Sequence, residues 1–156
     1  MVPAQIVRSL YETLNTHNLQ KFVSMFTDDG QFVDKSSGTI YRGREEIREM
    51  MANWLKAFPD VRIQVSNIIG SGDLYCAEFS IVGTHRGPLT VAEGEVPATG
   101  KKINVPSCDV IQLKKERIQS LNCYMSATVL MDQIGELPSQ AQVGRPEQEM
   151  NQQNMM

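Results

Sequence analysis

The chain has 156 residues, 41% of them hydrophobic, with 15 basic and 18 acidic side chains giving a net charge of −3. That length suits one domain with a sizeable core. The two signs of charge are interspersed, and with no basic stripe neither nucleic acid nor a membrane surface is an expected partner.

A first helix is predicted over 3–14, because Ile6, Val7, Leu10, Tyr11 and Leu14 recur at helical spacing and Pro3 suits a first turn. "NTHN" breaks it, and Asn18 caps a short second helix, "LQKFVSMF", with Leu19, Phe22, Val23 and Phe26 on one face. "TDDG" reads as a turn into a strand "QFVD". A third helix follows Gly43, over 44–57, with Ile47, Met50, Met51, Trp54 and Leu55 as its apolar stripe. Phe58-Pro59-Asp60 stops it, since proline cannot continue the hydrogen-bond ladder. The period then changes to two. "VRIQVSNII" alternates with Val61, Ile63 and Val65 on one face, "GSGD" turns, and "LYCAEFSIVGTH" is a second long strand. "RGPLTVAEGEVPATGK" reads as loop, "KINVPSCDVIQL" and "RIQSLNCYM" as two strands joined by "KKE", and "SATVLMDQIGEL" as a short closing helix. After Pro138 the composition shifts to Gln, Asn and Met, which predicts one domain over 1–137 and a mobile polar tail over 138–156.

Helices first and strands afterwards mean an α+β fold. The expected architecture is a cone-shaped half-open barrel: three N-terminal helices packed on a strongly curved, mainly antiparallel sheet, closed by a short C-terminal helix. Such a cone has a wide mouth and an apolar interior, suited to a small hydrophobic molecule. The first residues lack the charged and apolar regions of a signal peptide, and no run approaches transmembrane length, so the cytoplasm is the expected location. Cys76, Cys108 and Cys123 are odd in number, lack CxxC spacing and fall inside predicted strands, which points to buried free thiols.

Asp109 and His85 are the candidates for acid–base chemistry. If the last hairpin turns on Lys115-Glu116-Arg117, Asp109 stands opposite Cys123; one residue fewer in that loop brings Asn122 there instead. Either register places a carboxylate near a thiol or near Asn122 and Tyr124. Burial in the cup raises an aspartate from about 4 toward neutrality, as a general base requires; the competing reading is a solvent-facing or ion-paired Asp109. His85 shares the apolar face of its strand with Tyr75, Ala77, Phe79 and Ile81, and Gly83 and Gly87 leave room around it. It is either a proton carrier at the mouth or a structural histidine in a turn. Asp34 either enters the cup or caps the loop "KSSG", and Trp54 with Met50 and Met51 either lines a cavity or is plain core. No GxSxG elbow, phosphate-binding glycine loop or HExxH is present, and two distant histidines give a metal site no support.

"GTHRGPL", "PATGKKINVPSCDVIQL" and "DQIGEL", together with "DDGQFVDKSSGTIYRGREEIREMMANWLKAFPD", resemble the SnoaL-like polyketide cyclases of the nuclear-transport-factor-two-like superfamily, over about residues 4–137. The resemblance implies the α+β cone, a homodimer, and intramolecular aldol ring closure on a polyketide with neither metal nor cofactor. It also implies an aspartate late in the last hairpin that moves the proton, and a histidine on the partner strand. Here those two positions fall on Cys123 and Asp109, the hairpin tip is "KKER" where the family has Asp-Gly, and only His85 matches directly. Two functions follow as expectations. One is a cofactor-free cyclase or isomerase with Asp109 and His85 as catalytic residues and Asp34, Trp54, Cys123 and Tyr124 as binding residues. The other is a non-catalytic binder of a small hydrophobic molecule.

Overall fold

Helix α1 (Pro3–Asn15) starts on its proline and buries Ile6, Val7, Leu10, Tyr11 and Leu14, the stripe its spacing predicts. Its last residue, Asn15, bonds across to the backbone of Ile63, accepting from the N–H at 2.7 Å and donating to the carbonyl at 3.0 Å. These bonds fix α1 against the first residues of β3. Helix α2 (Leu19–Ser24) is capped by the Asn18 side chain, which accepts the Lys21 N–H. The computed structural model describes residues 2–91 and 94–135; the tail expected over 138–156 lies outside them.

The predicted turn "TDDG" is instead part of strand β1 (Phe26–Asp34). Its turn-forming residues fit because the ladder is irregular between Phe26 and Gln31, and because Arg44 donates twice to the Phe26 carbonyl, at 3.1 and 2.6 Å, while pairing with Asp28 at 2.7 Å. Strand β2 (Thr39–Arg42) was not expected; it folds back after Gly38, whose φ of 80° suits glycine, and sets Tyr41 opposite Phe32. Then come α3 (Gly43–Ala57), β3 (Arg62–Ser71), β4 (Leu74–Thr84), β5 (Leu89–Val91), β6 (Gly94–Val96), β7 (Lys102–Lys114), β8 (Arg117–Met125) and α4 (Ala127–Gln133). β5 and β6 form a small ladder of their own within the stretch that reads as loop.

The main sheet has the order β2-β1-β8-β7-β4-β3, antiparallel throughout except between β1 and β8. The expected fold class, a curved mainly antiparallel sheet with helices on its inner face, is the fold found. The C-terminal helix covers a gap in that sheet. β8 ends opposite Ser107, and beyond it the Gln133 side chain bonds both backbone groups of Asn104, at 2.7 and 2.8 Å. No helix among the described residues is long and apolar enough to cross a membrane.

The β7–β8 hairpin differs from expectation in a way that decides the site. Its loop has two residues, Lys115 and Glu116, both left-handed at φ 50° and 66°, with Lys114 paired to Arg117. That shorter loop alone would bring Asn122 opposite Asp109. An extra residue in β8 cancels the shift: Leu113 pairs with Ile118 but Gln112 with Ser120, so Gln119 is bulged out. Asp109 therefore faces Cys123 after all. The bulge also switches the side-chain phase of β8, turning Cys123 toward the interior and leaving Tyr124 47% exposed on the outer face.

Candidate active site

Every second residue of β7 points inward: Ile103, Val105, Ser107, Asp109, Ile111 and Leu113 are buried, and the residues between them are more exposed. The alternation thus carries a carboxylate into an apolar core at 4% exposure. Asp109 reaches a cavity of about 90 Å³ between the sheet and helices α1 and α3. Its walls are mainly apolar, with Phe32, Met50, Met51, Trp54 and Phe79 among them; the polar side chains on it include Tyr11, Asp34, Tyr41 and Cys123.

The Tyr11 hydroxyl donates to Asp109 Oδ2 at 2.7 Å. The other oxygen, Oδ1, is buried without a hydrogen-bond partner among the described residues. Burial pushes the Asp109 carboxyl up to about 7, although the Tyr11 hydroxyl and the Cys123 thiol both pull it back by favouring the charged form. The neighbours respond in turn. Burial and then the Asp109 charge hold the Tyr11 hydroxyl and the Cys123 thiol protonated well above their ordinary values. The result is a carboxyl that changes protonation near neutral pH between two donors that do not.

The register places a second carboxylate in the same row. Asp34 on β1 pairs with Cys123 on β8, and Cys123 pairs with Asp109 on β7. Two strand spacings separate the aspartate backbones by roughly 10 Å, and all three side chains line the cavity. Asp34 also caps its loop, as the alternative reading had it: its Oδ1 accepts from the Ser36 N–H at 2.9 Å and the Ser36 hydroxyl at 2.6 Å. These bonds hold one carboxylate oxygen of a residue that lines the cavity. Burial and then the Asp34 charge raise the Tyr41 hydroxyl.

Of the residues expected at the site, Asp109, Asp34, Cys123 and Trp54 line the cavity. His85 and Tyr124 do not. The eight residue steps from Ala77, which pairs with Asp109, to His85 correspond to roughly 25 Å of extended chain. His85 is fully buried in a different setting, where Nδ1 meets the Thr99 hydroxyl at 3.0 Å and the Thr99 N–H at 3.3 Å. Its ring packs on Phe58 at 5.3 Å, and Phe58 stacks on Trp54 at 5.3 Å. His85 thus stands two rings behind the cavity wall, and a direct partnership with Asp109 is corrected to a supporting place in the wall. Gly87 explains the second glycine of "GTHRGPL": the Arg86 and Gly87 N–H groups donate to the Ala57 carbonyl at the end of α3, at 3.0 and 3.2 Å. A Cβ at Gly87 would collide with the Lys56 carbonyl oxygen.

Tyr11 and Tyr41 are the site residues that sequence periodicity hides. Tyr11 sits in the apolar stripe of α1 and reads as core. The available signal is chemical: a buried tyrosine hydroxyl needs a partner, and so does a buried aspartate. Among the described residues no group of three or more His, Cys, Asp and Glu side chains is placed to hold a metal ion.

The family model of the SnoaL-like domain matches residues 7–121. No curated protein matches the sequence. Among solved structures, IdmH from Streptomyces antibioticus, a proposed polyketide cyclase, is 22% identical with a TM-score of 0.73, over 86% of this chain and 99% of IdmH. A protein of ketosteroid isomerase-like fold from Catenulispora acidiphila, in complex with trimethylamine, is 23% identical with a TM-score of 0.72, over 86% and 95% of the two chains. A protein from Jannaschia sp. CCS1, proposed to be a SnoaL-like polyketide cyclase, is 20% identical with a TM-score of 0.64, over 72% and 75%. At these identities the structural likenesses establish the fold.

Proposed function

The chain belongs to the SnoaL-like domain family, and from that membership we propose that its cup moves a proton next to a carbonyl group in a small hydrophobic molecule, as a cofactor-independent cyclase or isomerase. One observation carries the reading. A single apolar cavity holds two carboxyl groups in one cross-strand row, one deeply buried beside a tyrosine hydroxyl and one at its more exposed side.

The two environments divide the work. Buried Asp109, protonated up to about pH 7, is the hydrogen-bond donor for the substrate's carbonyl oxygen, and the Tyr11 hydroxyl, donating to Oδ2, holds the carboxyl in place. Donors set in an apolar site stabilise the developing enolate far better than water does. Asp34 is the carboxylate that takes the proton from the neighbouring carbon and returns it elsewhere. Ser36 steadies one of its oxygens and leaves the other for the substrate. Met50, Met51 and Trp54 form the apolar wall that holds the substrate. If the enolate attacks a second carbonyl the product is a ring; if it is reprotonated at another carbon the product is an isomer. A homodimer, as the resemblance implies, is the proposed assembly, and light scattering measures it.

Isotope exchange tests the reaction without knowledge of the product. Small cyclic ketones incubated with the protein in heavy water gain deuterium at the carbon next to the carbonyl, read by NMR. Asp34→Asn and Asp109→Asn each slow the exchange by about 10²–10⁴-fold. A ketone that saturably quenches Trp54 fluorescence yet exchanges no deuterium establishes the non-catalytic binder instead.

A further inference from the structure

The back of the sheet carries a second cluster. Cys76 and Cys108 are the chain neighbours of Ala77 and Asp109, which pair directly across β4 and β7. The cysteines lie diagonally across that pair, on the face away from the cavity. Their sulfurs are 2.9 Å apart, and both side chains are half-exposed. A bond of about 2.05 Å needs an approach of only about 0.9 Å more. Burial and the contact with Cys76 keep the Cys108 thiol protonated, pushed up to about 12, so Cys108 is the sulfur that waits. Cys108 Sγ also lies 4.0 Å from the Asp109 carbonyl oxygen. The third cysteine, Cys123, lines the cavity on the opposite face.

We propose that Cys76 and Cys108 are a reversible dithiol–disulfide pair, and that closing it retunes the Asp109 carboxyl on the other side of the strand. The oxidant is a low-molecular-weight disulfide such as glutathione disulfide. The Cys76 thiol loses its proton and its sulfur attacks one sulfur of the small disulfide, so a mixed disulfide forms and the first small thiolate leaves and takes up a proton. The Cys108 thiol then loses its proton and its sulfur attacks that of Cys76, and the second small thiolate leaves and is protonated. Two electrons pass from the protein to the small disulfide, which ends as two thiols.

The coupling to Asp109 follows from the diagonal. Diagonal cross-strand residues stand about 7–8 Å apart backbone to backbone, whereas the Cα atoms of a relaxed disulfide are about 4.4–6.8 Å apart. Closing the bond therefore draws β4 and β7 together at the Ala77–Asp109 pair. A bond held away from relaxed geometry is also easily reduced, which makes the step reversible. The redox step stands whatever reaction the cup performs.

The test uses the full chain, reduced and then treated with excess glutathione disulfide. Of the three thiols, all free when reduced, two should disappear, with a mass loss of about two daltons and a peptide joining Cys76 to Cys108. Dithiothreitol should restore them, Cys123→Ser should leave the reaction intact, and Cys76→Ser should abolish it. The NMR titration midpoint of the Asp109 carboxyl should move by about half a pH unit or more between the two forms. Glutathione adducts with no internal bond, a bond to Cys123, or three unreacted thiols each overturn the pair. A bond that forms while the Asp109 midpoint stays put overturns the coupling.

Discussion

The surroundings of Asp109 and of His85 differ although both side chains are buried, polar and set on the main sheet. His85 is enclosed: its ring lies on Phe58, Thr99 meets its Nδ1 twice, and the backbone on either side is tied to α3 and to Lys101. Asp109 lines the cavity with the Tyr11 hydroxyl on Oδ2 and the Cys123 thiol beside it, and Oδ1 has no hydrogen-bond partner among the described residues. A buried polar group wrapped in bonds stabilises its neighbourhood. A buried polar group left half-bonded costs stability, and its retention is the mark of a chemical task. The first region should lose stability when altered, while the second should gain stability and lose chemistry.

The largest expected effect lies in the pH dependence of stability. Asp109 titrates at about 7 in the folded chain against an ordinary value near 4. Between those values the folded state holds more protons than the unfolded one, so stability falls as pH rises. The favourable contribution is complete below about pH 4, declines through the window and is gone above about pH 7, a total of about 4 kcal/mol for three units. Asp109→Asn keeps an acceptor for Tyr11 and carries no proton equilibrium. Denaturant melts at several pH values should show the variant gaining on the wild type as pH rises from 4 to 8. Parallel stability curves would make Asp109 as settled as His85 and remove the distinction.

The His85 region gives the next effect, of opposite sign. Gly87→Ala sets a methyl group against the Lys56 carbonyl oxygen, part of a backbone that cannot yield without loosening the end of α3. A loss of about 3 kcal/mol is expected, or roughly 10 °C in melting temperature for a domain of this size. Wild-type stability in this variant would mean that the wall behind Trp54 is soft.

How much of this was legible in the sequence depends on the range of the interaction. The order of helices and strands announced the fold, while the sequence left Asp109 either inward or facing solvent, and the alternation of β7 in the structure turns it inward. The pairing of Asp109 with Cys123 was reachable only through a hairpin whose tip, Lys115-Glu116, lacks the glycine or asparagine that usually marks left-handed residues. The loop is a residue shorter than expected, and the bulge at Gln119 restores the register; no local pattern displays either. His85 was correctly read as inward, but periodicity names a face and not the space in front of it. Tyr11 lies 98 residues from Asp109. Its role emerges only when the fold brings α1 over β7, as does the row from Asp34 to Asp109, which depends on the one parallel pairing in the sheet.

Tyr11→Phe tests the half-bonded state of Asp109 most finely. The hydroxyl donates to Oδ2 and favours the charged carboxylate over the neutral acid. Its removal should raise the Asp109 midpoint above about 7, by about one unit. The same change appears as stability, because a hydrogen bond to a charged group is worth more than one to a neutral group. The variant should lose about 1 kcal/mol more at pH 8, where the wild-type carboxyl is ionised, than at pH 5, where it is not. Equal losses at the two pH values, with an unmoved Asp109 midpoint, would mean that the Tyr11 ring fills space and its hydroxyl does not tune the acid. The acid that donates to the carbonyl oxygen would then be set by burial and the Cys123 thiol, without help from the Tyr11 hydroxyl.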